Sequence, residues 1–591
     1  MIHMKKACII WGITALGLLS ACNTTVEPTN NTGSTDTSVN TGDDSSDFVE
    51  NETWDSTVSI VWNGSSATIG TLPDGITATN KDGYVALTST IKHVEYAVSG
   101  SGTGQLTLYS DYKLKLSLND LTLTCGDGPA INNQCSKSCY VVLTGTNTLT
   151  DGSTYSSSTE DRKAAFFSEG QLIFTGSGSL NVTGNCKHAL ASDDYIRLRE
   201  GTLSLTANAS DGMHTNDGII INGGSLSVSA AGDGIQCDTS SIIVSGGTIK
   251  ITKAGDKGIL AYSNIQISGG DISIQSEDKG IKSAAGNIVI SGGTVSVTTT
   301  GDDGKGILAK LGEVQITNGT IKVSTSGSDA KGIKSVGNMT ISGGTITVIC
   351  SSGSSAAFAP GWGGGGQGGP GNQGGGGNTG GPGNMGGGQN ASAPEGIESK
   401  AKLTITGGTI YSQSSDDAIN SGSDMNISGG YICAYSTGND GIDANGNCYI
   451  KGGTVYAIGA SSPEVGIDAN TEGGYKLYVS GGTLVALGGL ESGSSLTQSC
   501  YSANSWSQNT WYGLSNGGSA VLAFKTPSSA GSGIVVSTSA TPTLLSGVST
   551  TNGTAIWNNM GYTDVNVSGG SNVSLSSYSG GNNGMGGGRG W

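Results

Sequence analysis

The chain has 591 residues, among them 102 glycines and only 10 prolines, and 12% of its residues are charged. Abundant glycine without a Gly-X-Y period excludes collagen and indicates many tight corners. The formal net charge of −17 argues against a nucleic-acid partner, because phosphate binding needs a basic patch.

Residues 1–21 have the pattern of a signal peptide. A basic start is followed by an apolar run that ends near Leu19 and is too short to span a bilayer. The run ends in Leu-Ser-Ala-Cys22, which resembles the bacterial lipobox, so cleavage would leave Cys22 as a lipidated N-terminal residue. An ordinary signal peptide with a chance cysteine is the alternative. We therefore expect a lipoprotein of the bacterial cell envelope, facing the periplasm or the exterior, with residues 22–51 as a flexible polar stalk.

One short pattern recurs through the centre of the chain. Residues 264–274 read Asn-Ile-Gln-Ile-Ser-Gly-Gly-Asp-Ile-Ser-Ile, and residues 287–297 read Asn-Ile-Val-Ile-Ser-Gly-Gly-Thr-Val-Ser-Val. The second glycine of the pair recurs every 23 residues at Gly224, Gly247, Gly270 and Gly293. A period in the low twenties with two alternating runs per copy predicts a parallel β-helix.

Alternation of side chains along each strand predicts the interior of this β-helix. Ile265 and Ile267 point inward while Gln266 points outward, and a second inward pair follows the Gly-Gly corner. The isoleucine after an acidic turn, such as Ile281, supplies a third inward position. The predicted fold class is therefore all-β: a three-sided parallel β-helix of about a dozen or more coils of ~23 residues, with irregular β caps at both ends.

The regularity of the repeat divides the chain. We expect residues 52–163 to form an N-terminal β cap and the first coils, and residues 164–350 and 394–487 to form regular coils. Residues 351–393 are too glycine-rich to pack and are predicted to be a disordered insertion. Residues 488–591 are irregular but rich in strand-like runs, so they are predicted to be a C-terminal cap with a glycine-rich tail.

Acidic residues recur before the Gly-Ile corners with the period of the coil, so we expect them to stack in one column. They are Asp211, Asp233, Asp256, Asp278, Asp303, Asp329, Glu395, Asp417, Asp440 and Glu464. Adjacent coils lie about 4.8 Å apart and Ca2+ binds oxygen at about 2.4 Å, so one ion fits between two stacked carboxylates. In the central coils, lysines within two residues of the acids can neutralise them instead.

Two groups of aspartates without such lysines are the predicted metal sites. The first group is Asp193, Asp194, Asp211, Asp217 and Asp233. The second group is Asp416, Asp417, Asp440 and Asp443. The alternative for any single aspartate is that it caps a corner through Asx-turn hydrogen bonds. The predicted cofactor is calcium, with both a structural and a ligand-bridging role.

Four corner segments resemble those of a bacterial family of carbohydrate-binding domain proteins. They are residues 186–194, 210–217, 394–400 and 439–447. The resemblance spans about residues 59–548, and this chain departs from the family pattern at three positions: Ala189, Met213 and Ala418. The resemblance implies a right-handed parallel β-helix resembling pectate lyases, calcium at the acidic corners, and binding of cellulose-like or acidic polysaccharide without demonstrated cleavage.

A long hydroxyl-rich β face with calcium at its corners also suits an extended acidic glycan on physical grounds. Calcium can bridge a protein carboxylate to a uronate carboxylate, which would otherwise be repelled by a protein of charge −17. We therefore expect a monomer that binds uronate-containing or cellulose-like polysaccharide without catalysis, and that meets the membrane only through its lipid anchor.

Two other functions stay open. A calcium-dependent polysaccharide lyase needs a basic residue beside the metal, and the candidates are Arg197, Arg199, Lys187, Lys282, Lys334 and Lys400. A surface adhesin would bind another protein along the solenoid. His188 and His214, on neighbouring coils if the repeat holds, are interpreted as satisfied surface histidines.

Overall fold

Strands make up every regular element of the part of the chain that the structure describes, apart from the 3₁₀ turns Ser45–Asp47 and Val49–Asn51. This computed structural model describes residues 45–351 and 394–580. They form a parallel β-solenoid of about 14 turns with irregular regions at its two ends, which confirms the predicted fold class. Within these residues, no helix has the length and apolar character that crossing a membrane requires. The predicted signal peptide, Cys22, most of the stalk and nearly all of the insertion lie outside them.

Each regular coil contributes one strand to each of three ladders. Ladder 1 follows the acidic corner and consists of Ile76–Lys81, Tyr84–Ser89, Gln105–Ser110, Ile131–Asn133, Ala164–Ser168, His188–Ser192, Met213–Thr215, Ile235–Cys237, Ile259–Ala261, Lys279–Ser283, Lys305–Ala309, Lys331–Ser335, Ile397–Ser399, Ile419–Ser421 and Ile442–Ala444. All neighbours in this ladder pair in parallel except the first two strands, which are antiparallel.

Ladder 2 precedes the Gly-Gly corner. It consists of Cys139–Thr144, Leu172–Thr175, Tyr195–Leu198, Gly218–Ile221, Ile242–Val244, Ile265–Ile267, Ile288–Ile290, Val314–Ile316, Met339–Ile341, Leu403–Ile405, Met425–Ile427, Cys448–Ile450, Leu477–Val479 and Ser495–Leu496. Ladder 3 follows that corner and consists of Thr146–Thr150, Ser179–Gly184, Thr202–Ala207, Ser225–Ala230, Thr248–Ala254, Asp271–Ser276, Thr294–Thr299, Thr320–Thr325, Thr345–Cys350, Thr409–Ser414, Tyr431–Ser436, Thr454–Ile458 and Thr483–Leu487.

Three longer parallel strands begin the solenoid before the ladders separate. They are Ser56–Gly64, Val94–Thr103 and Leu114–Thr124, and the last of them pairs with the first strands of both ladder 2 and ladder 3. Ser66–Ile69 is antiparallel to the first of the three. Coil formation therefore starts well before the regular repeat is visible in the sequence.

The parallel register stacks equivalent residues of successive coils. In ladder 2, Ile242, Ile265, Ile288 and Val314 lie directly above one another, and all four are fully buried. The inward positions predicted from alternation are buried in ladders 1 and 3 as well. Burial stabilises such ladders by about 25 cal/mol for each Å² of apolar surface removed from water, and only stacked coils can bury it.

The Gly-Gly corner requires glycine at both positions, for different reasons. Gly270 has a φ of +86°, a left-handed conformation that other residues adopt only with strain. A Cβ atom on Gly269 would lie 2.3 Å from the carbonyl oxygen of Ser245 on the coil below. The predicted left-handed corner is confirmed at the second glycine, whereas the first is needed for close approach.

An N-terminal strap, residues 45–51, covers part of ladder 2. The Arg197 Nε atom lies 2.8 Å from Asp47 Oδ2, and both side chains are only 2% exposed. The neighbouring Arg199 binds Glu50 through two nitrogens at 3.1 and 2.8 Å. Residues 45–51 were predicted to belong to the flexible stalk, but these contacts hold them against ladder 2. Composition alone could not show that these acidic residues meet arginines on a distant coil.

The C-terminal region lies against the side of ladder 3. Its six-stranded antiparallel sheet consists of Trp511–Asn516, Ser519–Lys525, Pro542–Thr551, Thr554–Ile556, Gly561–Thr563 and Asn566–Asn572, and Cys500–Ala503, Ile534–Ser537 and Ser576–Tyr578 join it to the last coils. Tyr411, Cys433, Tyr456 and Val485, on the outer face of ladder 3, form one apolar cluster with this sheet. With ladder 2 and ladder 3 partly covered, ladder 1 presents the longest face of ionisable residues.

Candidate functional site

Ionisable side chains follow the outer face of ladder 1 in two adjacent columns. The reference point in each coil is the first inward-facing apolar residue of its ladder 1 strand that pairs in register, such as Ile281. The corner column lies two residues before it and consists of His188, Asp211, Asp233, Lys257, Lys279, Lys305, Lys331, Glu395, Asp417 and Asp440. The strand column lies one residue after that buried residue and consists of Ala191, His214, Gln236, Leu260, Lys282, Leu308, Lys334, Glu398, Asn420 and Asp443.

The predicted uninterrupted column of acids is wrong in the central coils. Strand register stacks Lys279, Lys305 and Lys331, and the Gly234 amide donates to the carbonyl of Lys257, which places that lysine beside Asp233. In these coils a lysine directly precedes the Gly-Ile pair and the acid lies one or two residues earlier, so the acids fall outside the column. The corner column is therefore acidic at both ends and basic in between.

The acids of the central coils lie just before the lysines of the corner column and pair with them. Three such ion pairs are Lys257 with Asp256, Lys279 with Asp278, and Lys305 with Asp303. The prediction that lysines neutralise the acids here is confirmed for these three. Lys331 differs, because it binds Glu395 on the next coil at 2.5 Å.

The aspartates of the corner column use one carboxylate oxygen to hold the next coil. The Asp233 amide donates to Asp211 Oδ1 at 2.8 Å, and the Lys257 amide donates to Asp233 Oδ1 at 2.7 Å. The Asp440 amide donates to Asp417 Oδ1 at 3.2 Å. Corner capping, the alternative to metal binding, therefore accounts for one oxygen of each residue and leaves Oδ2 for another partner.

A carboxylate cluster occupies the C-terminal end of this face; we define it as Glu395, Asp416, Asp417, Asp440 and Asp443. Ligand oxygens of the first three lie within 4.8 Å of one another. Asn420 joins Asp443 to them, since its Nδ2 donates to Oδ2 of both Asp417 and Asp443 at 2.9 Å. The structure thus brings Asp416 and Asp417 of the second predicted group together with Glu395, which spacing did not single out as a ligand. Asp443 is linked to them through Asn420, and Asp440 lies on the next coil with its amide on Asp417.

Burial and mutual repulsion make this cluster hard to ionise. Burial raises the pKa of Asp417 well above its ordinary range, and the charges of Asp443 and Asp416 raise it further. Burial likewise raises the pKa of Asp440 to about 7 and that of Asp443 to about 6. One coil beyond, burial and a hydrogen bond with Glu491 raise the pKa of Asp468 to about 9. Full ionisation of the cluster is therefore opposed, and bound protons or a cation beyond the Lys331 ammonium would relieve the repulsion.

The donors of the carboxylate cluster fit a hard divalent cation. Besides the carboxylates, the side-chain amide oxygen Oδ1 of Asn420 is buried and has no hydrogen-bond partner among the described residues. Calcium takes about six to eight oxygen ligands of these kinds, at flexible geometry. A cation here would offset the repulsion that raises the pKa of Asp417.

The first predicted group does not meet at one place. Asp211 and Asp233 lie where the strands of ladder 1 begin, whereas Asp193, Asp194 and Asp217 lie where these strands end. Asp194 and Asp217 are in register, as predicted, and the backbone amide of Asp217 donates to the carbonyl of Asp194 at 3.2 Å. Asp193 binds Lys163 at 2.5 Å, which already neutralises its charge.

Two histidines surround Asp211 instead. The Nδ1 atoms of His188 and His214 each lie 3.1 Å from Asp211 Oδ2, and the two rings stack with centroids 4.2 Å apart. Burial opposes ionisation of Asp211, but hydrogen bonds with both rings outweigh it, so the net effect lowers its pKa. These histidines lie on neighbouring coils, yet they are mostly buried, so their interpretation as surface residues is wrong.

Acidic partners engage several of the basic residues that a lyase would need. Arg197 and Arg199 bind the N-terminal strap. Lys334 and Lys400 both bind the buried Glu398. Lys282 differs, because burial and nearby lysines lower its pKa.

Comparisons with known proteins identify a family for this chain. The sequence model of one family, described as "Carbohydrate-binding domain-containing protein", matches residues 81–304, 239–361 and 265–441, which together span more than half of the chain. No curated protein matches the sequence. Among solved structures, a gadolinium derivative of the polysaccharide lyase-like protein from C. thermocellum is similar at 20% identity and a TM-score of 0.29, over 48% of this chain and 96% of that one. The chain belongs to the family of carbohydrate-binding domain-containing proteins, and carbohydrate binding is its general class of function.

Proposed function

We propose that this protein is a lipid-anchored, monomeric surface protein that binds acidic or cellulose-like polysaccharide through calcium on ladder 1, without catalysis. The carboxylate cluster is the observation that carries the proposal. It collects five acidic residues on three successive coils, and it includes a buried amide oxygen that lacks a partner among the described residues. Family membership supports carbohydrate as the ligand class.

Charge explains why a cation would be needed. A uronate polymer approaching a chain of net charge −17 meets repulsion that is strongest beside the carboxylate cluster. Calcium bound there carries two positive charges and can complete its oxygen shell with a uronate carboxylate and sugar hydroxyls. The basic middle of the corner column then continues the same face toward the N-terminal coils.

Ladder 1 is the face that best suits an extended chain. The N-terminal strap covers part of ladder 2, and the C-terminal sheet covers part of ladder 3. Tyr449 and Tyr478 do lie on the outside of ladder 2, but their rings stack on each other at 4.9 Å, so one face of each ring is already used. An uncharged cellulose-like chain would need free ring faces more than an acidic one does.

Binding to polygalacturonate, measured with calcium and with excess chelator, tests the proposal. We expect binding only with calcium, and we expect the double variant Asp417→Asn/Asp443→Asn to lose it. Asp271→Asn is the matched control, because this aspartate is exposed on ladder 3. Equal binding in excess chelator would overturn the calcium mechanism. Binding to cellulose but not to polygalacturonate would instead identify a neutral glycan as the ligand.

A polysaccharide lyase is the second candidate function, and the lowered pKa of Lys282 is the observation that favours it, although this lysine lies three coils from Glu395 rather than beside the carboxylate cluster. Its lowered pKa results from burial and from Lys257, Lys310 and Lys279, and a lysine with a lowered pKa can act as a base. Absorbance of unsaturated uronate products, followed with wild type and Lys282→Met, tests this reaction. Product formation that depends on Lys282 would replace the binding function with catalysis.

The lipid anchor is proposed from the sequence segment that ends at Cys22. Mass spectrometry of protein from bacterial membranes should show an acylated Cys22, and Cys22→Ala should release the protein into the soluble fraction. Release of the wild-type protein into that fraction would contradict the anchor. Glycan binding by the folded part should be the same whether the protein is anchored or released.

A further inference from the structure

Three side chains at the N-terminal end of the corner column form a group that differs in chemistry from the carboxylate cluster. Asp211 Oδ2 lies 3.1 Å from Nδ1 of both His188 and His214. The donors are two imidazole nitrogens and one carboxylate oxygen, a set that zinc and similar transition metals prefer and calcium does not. Asp211 Oδ1 is held by the Asp233 amide, so its Oδ2 is fixed toward the two rings.

The spacing of these atoms matches the edges of a coordination tetrahedron. Two ligands that each lie about 2.0 to 2.1 Å from a tetrahedral zinc ion are about 3.3 Å apart. The two oxygen-to-nitrogen distances of 3.1 Å therefore need little change to admit an ion. Hydrogen bonds without a metal would also give such distances. The groups around the two rings therefore bear on whether this is a metal site or a hydrogen-bonded group.

Asp238 contacts the far side of His214. Its Oδ2 lies 3.3 Å from His214 Nε2, so with an ion bound the proton would lie on Nε2 and the Nδ1 lone pair would point at the ion. A carboxylate behind a histidine is the usual support of a metal-binding imidazole. The backbone amide of Asp211 donates to His188 Nδ1 at 3.3 Å, so this nitrogen is an acceptor, and a bound ion would replace that hydrogen bond.

We propose that His188, Asp211 and His214 form a binding site for a zinc-class divalent ion, supported by Asp238 and separate from the calcium-binding carboxylate cluster. The three side chains are 16%, 11% and 13% exposed, so solvent reaches each of them. Three protein ligands with one open position can accept water or a ligand carboxylate. The competing arrangement is a protonated His214 between Asp211 and Asp238, with no metal bound.

Zinc titration of the metal-stripped full chain, in excess calcium, distinguishes these arrangements. Calcium saturates sites made only of oxygen, so calorimetry then reports zinc bound elsewhere. We expect one zinc ion per chain, and replacement by cobalt should give the visible absorption of a tetrahedral site with imidazole ligands. X-ray absorption of the zinc form should show two imidazole nitrogens.

Four variants assign the site. His188→Gln and His214→Gln should each remove the high-affinity zinc, and Asp238→Asn should weaken zinc binding by about 10- to 100-fold. His93→Gln is the matched control, because His93 pairs with Asp55 elsewhere and should leave zinc binding unchanged. Thermal melts of the metal-free variants identify any variant that fails to fold. If a histidine variant does, zinc affinity of Asp238→Asn decides the question, because this substitution removes no ligand.

Two results would overturn the proposal. One is a wild-type chain that binds no zinc in excess calcium, which would identify the group as a protonated ion pair. The other is zinc binding that survives both histidine substitutions, which would place the ion elsewhere. Neither result depends on polysaccharide, so failure here is distinguishable from failure of the proposed glycan binding.

Discussion

At the scale of single residues, the corner aspartates combine two tasks. One oxygen accepts the amide of the next coil, as Asp211 does for Asp233 and Asp417 does for Asp440. The other oxygen faces a partner that differs from coil to coil, two imidazoles at Asp211 and Asn420 at Asp417. Substitution of a corner aspartate would therefore remove a structural hydrogen bond as well as a ligand, so binding variants need parallel measurements of stability.

The carboxylate cluster predicts an unusual dependence of stability on pH. Burial raises the pKa of Asp440 from 3.8 to about 7 and that of Asp443 from 3.8 to about 6, so the folded chain binds more protons than the unfolded chain between pH about 4 and 7. Stability in chelator should fall as pH rises through this window. Calorimetric melting temperatures from pH 4 to pH 8 would measure it, and calcium should restore stability at the upper end.

His214 contributes to the same trend, because its pKa is raised overall: hydrogen bonding to Asp211 and nearby carboxylates outweigh burial. The comparison that isolates the cluster is therefore Asp440→Asn, which removes one titrating group and should flatten the decline. Asp271→Asn, an exposed aspartate, should not change it. A melting temperature that rises from pH 4 to pH 8 in chelator would contradict the assignment.

At the scale of elements, the buried ion pair between Asp47 and Arg197 is one of several contacts of the N-terminal strap, which include the Tyr140 hydroxyl donating to the Ser46 carbonyl. Removing the partner of a buried charge can cost up to about 3–5 kcal/mol, and the strap can limit that cost by leaving ladder 2. We therefore expect Arg197→Ala to expose residues 45–51 to protease and to hydrogen exchange. Arg199→Ala should loosen the strap less than Arg197→Ala, because its partner Glu50 is more than half exposed, and its effect should come mainly from the lost contact with the Phe48 ring.

The Gly-Gly corner is the element that limits substitution most sharply. Gly269→Ala should destabilise by about 1–3 kcal/mol, because the new methyl group meets the Ser245 carbonyl oxygen at 2.3 Å and backbone must move. Gly270→Ala should cost about 1–2 kcal/mol through its left-handed φ. Gly126→Ala, where nothing lies within 4 Å, should stay within about 0.5 kcal/mol of wild type. Urea denaturation would rank the three, and equal effects would contradict the close-approach argument.

At the scale of the whole molecule, the solenoid continues across the gap between its two described parts. Ladder 1 pairs Ile333 with Ile397, and ladder 2 pairs Ile341 with Ile405. Ladder 3 likewise pairs Thr345–Cys350 with Thr409–Ser414. In all three ladders, the coil before residues 352–393 therefore pairs directly with the coil after them.

Replacing residues 352–393 with a short Gly-Ser linker should consequently preserve the fold. Loop closure costs only about 0.6 kcal/mol for each doubling of loop length, so the shorter connection should leave the melting temperature equal or slightly higher. Circular dichroism and calorimetry would measure this. Glycan binding should also be unchanged if the carboxylate cluster is the site, whereas loss of binding with an intact fold would assign the ligand to the insertion.

The fold was largely predictable because a solenoid coil contacts only its neighbours. A 23-residue period with alternating apolar residues determined the three ladders, the buried positions such as Ile265 and Ile281, and the left-handed second glycine of the corner. Each of these features depends on a few consecutive residues repeated along the chain. The second acidic group was predictable for the same reason, since its members recur with the coil.

Contacts between distant segments were decided only by the tertiary structure. The docking of Asp47 on Arg197 and the meeting of His188 with His214 at Asp211 require side chains from different parts of the chain to converge. The lysines of the corner column are different, because Lys279, not Asp278, directly precedes Gly280 and Ile281, so alignment of the coils on the Gly-Ile pair would have predicted them. Periodicity specifies which coil a residue belongs to, whereas the path of each corner specifies what its side chain can reach.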